Sequence, residues 1–91
     1  VTIRWTPEAV QDLARLYDFL ASYDARAALR VVSVLRDAVH RLLAHPRLGA
    51  PLPGFDEREV RRLLIGDYEM RYELSQEAIH ILRFFNTCGD R

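Results

Sequence analysis

The residues of this 91-residue chain best suited to chemistry are the arginines of its last third: Arg61, Arg62, Arg71 and Arg83. A guanidinium presents a planar fork of donors that meets a carboxylate or a phosphate bidentately, so a cluster of them makes an anion receptor. The competing use is structural. Glu59, Glu69 and Glu73 lie in the same region, and cross-strand ion pairs with them would contribute about 0.2–1 kcal/mol each. Spacing alone favours the ion pairs. Arg83 is the hardest to place, because a charge set among Ile81, Leu82, Phe84 and Phe85 needs a partner or an exit to water.

Other chemistries lack their residues. There is no Gly-rich phosphate loop and no serine nucleophile elbow. The histidines are His40, His45 and His80. A helical metal pair needs i, i+4 spacing, which His40 and His45 miss. Cys88 is the only cysteine, so no disulfide or cysteine-built zinc site is available, and the expected state is a free thiol. No metal and no cofactor are expected.

Periodicity gives the elements that must position these residues. Val1, Ile3 and Trp5 alternate with Thr2 and Arg4 as a short, half-buried strand. Thr6-Pro7-Glu8 supplies a capping hydroxyl, a proline for the first helical position and an acid for the positive end of the dipole. Val10, Leu13, Tyr17 and Leu20, flanked by Ala14 and Ala21, form one apolar stripe, read as core. Asp24 caps a second helix with the stripe Ala28, Val31, Val32, Leu35, Ala38, Val39, Leu42 and Leu43, which His45-Pro46 ends. The short link Ser22-Tyr23-Asp24 predicts an antiparallel helical hairpin.

Pro46–Glu57 holds three of the four prolines and reads as an ordered, irregular crossing. Glu59–Ile65, Tyr68–Leu74 and Ala78–Phe85 then read as a meander of three strands, with Gly66-Asp67 as a type II′ turn. On the middle strand Tyr68, Met70, Tyr72 and Leu74 face the core, while Glu69, Arg71 and Glu73 face away. Asn86–Arg91 is a polar tail. The fold class is α+β in the order β-α-α-β-β-β: a helical hairpin packed on a small, mainly antiparallel sheet, with 1–91 as a single domain.

Charge narrows the function. The chain has 13 basic and 13 acidic side chains, and every basic one is arginine. Codon usage in a GC-rich genome is the expected reason for this bias; the functional alternative is arginine's bidentate contact with carboxylates and phosphates, which lysine lacks. Residues 1–57 carry seven arginines and seven acids, and residues 58–91 six of each. A nucleic-acid binder is expected to show a basic excess somewhere. No apolar run approaches the ~20 residues needed to cross a bilayer, and no signal-peptide pattern precedes the first helix, so a cytoplasmic protein is expected.

Several stretches together resemble the ParE-type toxins of the RelE/ParE superfamily. They are Ile3-Arg4-Trp5-Thr6-Pro7-Glu8-Ala9 with Asp12-Leu13, His45-Pro46 with Leu48-Gly49, Val60-Arg61-Arg62-Leu63, Gly66-Asp67-Tyr68-Glu69-Met70-Arg71-Tyr72, and Ile79-His80-Ile81-Leu82-Arg83. The resemblance implies a bacterial type II toxin–antitoxin (plasmid stabilisation) system and the fold derived above. It also implies a partner antitoxin, ribbon-helix-helix-like in its DNA-binding part, whose tail folds on the toxin. DNA would be contacted through the antitoxin only.

Two activities occur in that superfamily: inhibition of DNA gyrase, which blocks replication, and ribosome-dependent mRNA cleavage. Cleavage through the 2′-hydroxyl needs an acid, a base and cations for the phosphorane. By the resemblance, the nucleases carry a basic residue where this chain has Glu69, and a proton shuttle near Asn86. The expectation is therefore a gyrase-binding toxin that is not an enzyme. An mRNA endoribonuclease, with Tyr68 or His80 in acid–base roles, is the alternative. Target or antitoxin contacts are expected at Arg61, Arg62, Arg71 and Arg83, and in an apolar groove beside the hairpin at Trp5, Tyr17, Leu20 and Tyr23.

Overall fold

A computed structural model describes residues 1–87; of the tail expected over Asn86–Arg91, Asn86 belongs to the last strand instead, and residues 88–91, Cys88 among them, lie outside the described residues. The elements are β1 (Thr2–Trp5), α1 (Pro7–Ala21), α2 (Ala25–Ala44), β2 (Ala50–Pro51), β3 (Glu59–Ile65), β4 (Tyr68–Leu74) and β5 (Ala78–Asn86). The sheet order is β1-β5-β4-β3-β2. β1 runs parallel to β5, and the other neighbours are antiparallel.

Both helix starts form as their residues dictate. The Thr6 hydroxyl accepts from the Ala9 N–H with Pro7 opening α1, and the Asp24 carboxylate accepts from the N–H groups of Arg26 and Ala27. Gly66 has φ +58°, the left-handed geometry that the first position of a type II′ turn requires. The two-residue strand β2 was not expected within the proline-rich crossing. It pairs Ala50 and Pro51 with Arg62 and Arg61 at the sheet edge, where a proline's missing N–H costs no ladder bond.

The helical hairpin covers one face of the sheet. Its core joins Ala9 of α1 and Leu35, Ala38, Val39 and Leu42 of α2 to Ile65, Met70, Tyr72, Ile79, Ile81 and Phe84. The expected α1 stripe is corrected here. Val10 and Ala14 are exposed; Leu13 of the expected stripe does face inward, together with Ala9, Asp12 and Leu16. The reason is a carboxylate on the inner face: Asp12 has partners on β5 that fix the rotation of the helix. Leu43 of α2 is also exposed.

A β-bulge shapes β5. Tyr72 pairs with Ile81 but Arg71 pairs with Arg83, so Leu82 is the extra residue. Ile79, Ile81 and Phe84 consequently all face the helices. Strict alternation from Ile79 and Ile81 would have driven Arg83 into the core.

Candidate functional site

The sheet face turned away from the helices carries the arginines. Arg71 lies between the core-facing Met70 and Tyr72, so its side chain points outward. Arg62 stands opposite it on β3 and Arg83 opposite it on β5, giving the cross-strand row Arg62-Arg71-Arg83. Beside this row the register places Leu64, Glu69 and Phe85; on its other side it places Glu73, His80 and Arg4. The charge balance seen along the chain does not survive folding: this face gathers four arginines against two glutamates. Sequence-local neutrality is therefore no guide to the surface.

Each arginine of the row has a carboxylate. Glu69, only 8% exposed, accepts from Arg71 Nε at 2.7 Å and lies 3.7 Å from the Arg62 guanidinium. Arg71 and Arg83 lie over the ring of Phe85, at 4.8 and 5.1 Å from its centroid, a cation–π arrangement. The fourth expected arginine is elsewhere. Arg61 is on the core-facing side opposite Tyr72, its side chain 15% exposed. It donates to the Gly49 carbonyl at 2.7 Å and to Glu59 at 2.9 Å, which ties the proline-rich crossing to β3. Glu73 pairs with Arg58, and Glu59 also with Arg47.

Arg83 has both a partner and an exit. β1 ends opposite Ile81, leaving the edge of β5 open beyond it. The start of α1 closes that edge. Thr6 donates from its N–H to Ile81 O and from its hydroxyl to Leu82 O. The Asp12 carboxylate accepts from the Phe84 N–H at 3.0 Å and from Arg83 Nε and Nη2 at 2.6 and 3.1 Å. Burial pushes the Asp12 carboxyl up, but the bonds from Arg83 and Phe84 and the charges of Arg83 and Arg15 outweigh it, and the net shift is downward. Sequence reasoning missed this role. The available signal was an acid in phase with Ala9, Leu13 and Leu16.

On the helix side, residues of α1, α2 and β1 line a groove of about 530 Å³. Val10, Leu13, Ala14 and Tyr17 form one wall, Val32 and Val39 the other, and Ile3 and Trp5 the floor. Spacings of three and four set the α1 wall, as for any helix stripe. Arg36 and His40 stand on the α2 rim and Asp18 on the α1 rim; these rim charges were not expected. Of the apolar contacts expected, Trp5 and Tyr17 line the groove. Leu20 and Tyr23 do not: Tyr23 is 77% exposed and meets Phe19 edge-on at 5.3 Å. Among the described residues no group of three His, Cys, Asp or Glu side chains is placed to hold a metal, and no helix is long and apolar enough to cross a membrane.

Comparison with known proteins identifies the family and the fold. A family model described as the ParE toxin of the type II toxin–antitoxin system parDE matches residues 3–87. Among solved structures, the chain is similar to one from the chromosomal ParDE toxin–antitoxin system of P. aeruginosa, with 25% identity, a TM-score of 0.78, and 94% of this chain and 95% of that one covered. It shares its fold with a chain of the archaeal RelE–RelB complex from Pyrococcus horikoshii OT3, at 17% identity and a TM-score of 0.58, covering 98% and 97% of the two chains. No curated protein sequence matches it. With the family match running almost from end to end, the chain belongs to the ParE toxin family of type II toxin–antitoxin systems and has the RelE/ParE fold.

Proposed function

We propose that this toxin, a single domain acting in the cytoplasm, inhibits DNA gyrase by binding it and so blocks replication. The observation that carries this reading is the pairing of every guanidinium in the outer row with a carboxylate, Glu69 or Asp12. Phosphodiester cleavage calls for cations aimed at the developing phosphorane charge, with an acid and a base beside them. Here a buried glutamate, Glu69, stands beside the middle arginine of the row, and Asn86, which has no titratable proton, ends β5. Such a surface suits recognition of a protein better than cleavage of RNA. The test is a supercoiling assay with purified gyrase holoenzyme. Loss of negative supercoiling and accumulation of cleaved DNA at micromolar toxin are expected; unchanged supercoiling overturns the reading.

The partner that neutralises the toxin is a cognate antitoxin with a ribbon-helix-helix-like DNA-binding part. Its tail lays an amphipathic helix in the groove over Trp5 and Tyr17. Helix-in-groove recognition needs an apolar trough, and the groove lined by α1, α2 and β1 supports this reading. Arg36 and His40 on one rim call for acidic residues on the flank of the incoming helix.

A further inference from the structure

Both helices lie on one side of the sheet, so the arginine row is open to a partner. Guanidiniums directly opposite one another on neighbouring strands repel and destabilise a sheet. In this sheet three stand in line, about 4.8 Å apart from strand to strand. Each spends only part of its donor fork inward. Arg71 uses Nε on Glu69, Arg83 uses Nε and Nη2 on Asp12, and Arg62 has only the long 3.7 Å contact to Glu69. Their side chains remain 46%, 39% and 43% exposed for Arg62, Arg71 and Arg83. The Phe85 ring holds Arg71 and Arg83 from below. The row is thus pre-oriented, with donor edges left for an incoming anion.

We propose that this row is the surface through which the toxin engages its target, and that it receives an acidic protein segment bearing an apolar side chain. Resting on the toxin reading above, the proposal does not depend on the target being gyrase. Charge complementarity and the neighbours of the row fix the occupant. Glu69 stands beside the row, so a continuous polyphosphate chain laid along it meets a fixed negative charge. A peptide can place its carboxylates on the three guanidiniums and an apolar side chain on Leu64, which is exposed beside them. The Phe85 ring already carries two guanidiniums and is not a free platform for a nucleobase. The groove lies on the opposite side of the sheet, so mutation can separate the two surfaces.

The test uses the full chain with Arg62→Glu and, because charge reversal next to Glu69 could disturb the fold, a second variant carrying Arg62→Ala and Arg71→Gln. Two probes are titrated, a Glu-rich peptide with a central leucine and a single-stranded RNA oligonucleotide. Wild type is expected to bind the peptide more tightly than the RNA, in a salt-dependent manner. Both variants should lose about tenfold or more of the peptide affinity, while affinity for the cognate antitoxin stays within about twofold of wild type. Expressed without antitoxin, the variants should no longer arrest growth. Peptide affinity unchanged in both variants overturns the proposal, as does tighter binding of RNA through the same arginines. Antitoxin affinity lost together with toxicity in well-folded variants also overturns it, as does a wild type that arrests no growth. Growth arrest with gyrase unaffected removes the gyrase reading and leaves this proposal standing.

Discussion

Asp12 and Arg83 are 71 positions apart in sequence and meet at 2.6 Å across the open edge of β5. The same carboxylate accepts from the Phe84 N–H and from Arg15. It therefore closes a strand edge and neutralises a charge in the middle of an apolar stretch. Removing it orphans a buried N–H and a half-buried guanidinium together. Asp12→Ala is expected to destabilise the fold by about 2–3 kcal/mol, read as a drop in Tm of about 10–20 °C for a domain of this size. Arg83→Ala should cost less, about 1 kcal/mol, because Asp12 keeps Phe84 and Arg15. Urea denaturation of the two variants measures the order; equal losses would show that the edge closure contributes nothing.

Acid should weaken the fold through the same contact. Asp12, Glu59 and Glu73 are all held below their ordinary carboxyl values of 3.8, 4.5 and 4.5. For Glu59 the cause is hydrogen bonding from Arg47 and Arg61, and for Glu73 hydrogen bonding from Arg58. A carboxyl with a depressed folded-state pKa stabilises the protein above its unfolded value and ceases to do so as pH falls through the folded value. Thermal melts should be flat above about pH 5 and fall steadily below about pH 4.5. Asp12→Asn should flatten the lower part of that fall. A Tm that rises on acidification would contradict the pairing.

The sheet and hairpin were legible because their signals are local: the Thr6 and Asp24 caps, the strict alternation of Tyr68–Leu74, and Gly66 at its turn. What was not legible depended on contacts distant in sequence. The bulge at Leu82 shifts the phase of β5, so an alternating pattern could not say which way Arg83 points; the apolar spacing Ile79, Ile81, Phe84 is its trace. The rotation of α1 is set by Asp12 meeting β5, which turned a stripe read as core into a groove wall. Arg61 and Arg62 are adjacent on β3 and so face opposite ways, but only the register of β3 against β4 shows that Arg62 alone joins Arg71 and Arg83. The charge balance along the chain does not extend to the outer sheet face for the same reason, since neighbours on a sheet are rarely neighbours in sequence.

The proline-rich crossing hangs on one phenol. Tyr72, fully buried, accepts from the Gly49 N–H and donates to the Pro46 carbonyl, each at 2.8 Å. The phenol is protonated at neutral pH, as the double role requires, and burial raises its pKa further. Tyr72→Phe leaves the buried Gly49 N–H without its partner and should cost about 1–3 kcal/mol. Native-state hydrogen exchange should show a loss of protection concentrated at the Gly49 amide. Gly49→Ala reaches the same place by sterics: a Cβ there would sit 2.5 Å from the Arg62 carbonyl oxygen and 2.9 Å from the Tyr72 hydroxyl. The crossing must then shift and take the Arg61 and Tyr72 bonds with it, at about 1–3 kcal/mol. Because both substitutions break the same Gly49–Tyr72 hydrogen bond, pairing Gly49→Ala with Tyr72→Phe should cost less than the sum of the two.

The groove makes a prediction that sets its lining apart from Tyr23, one of the apolar contacts expected from sequence. Val10 lines it and is half exposed in the free toxin, so Val10→Asp places a charge in the trough without emptying the core. Its stability should stay within about 0.5 kcal/mol of wild type. Its affinity for the cognate antitoxin should fall about tenfold or more, because a carboxylate would have to be desolvated against the incoming apolar face. Tyr23→Ala removes a larger apolar side chain, but one outside the groove, and should leave that affinity within about twofold. Arg36→Glu should act chiefly on the association rate and its salt dependence, as a rim charge does. Calorimetry and binding kinetics with the purified antitoxin distinguish these outcomes. If Tyr23→Ala weakens the complex more than Val10→Asp, the antitoxin tail lies along the Phe19–Tyr23 end of the hairpin and the groove has another occupant.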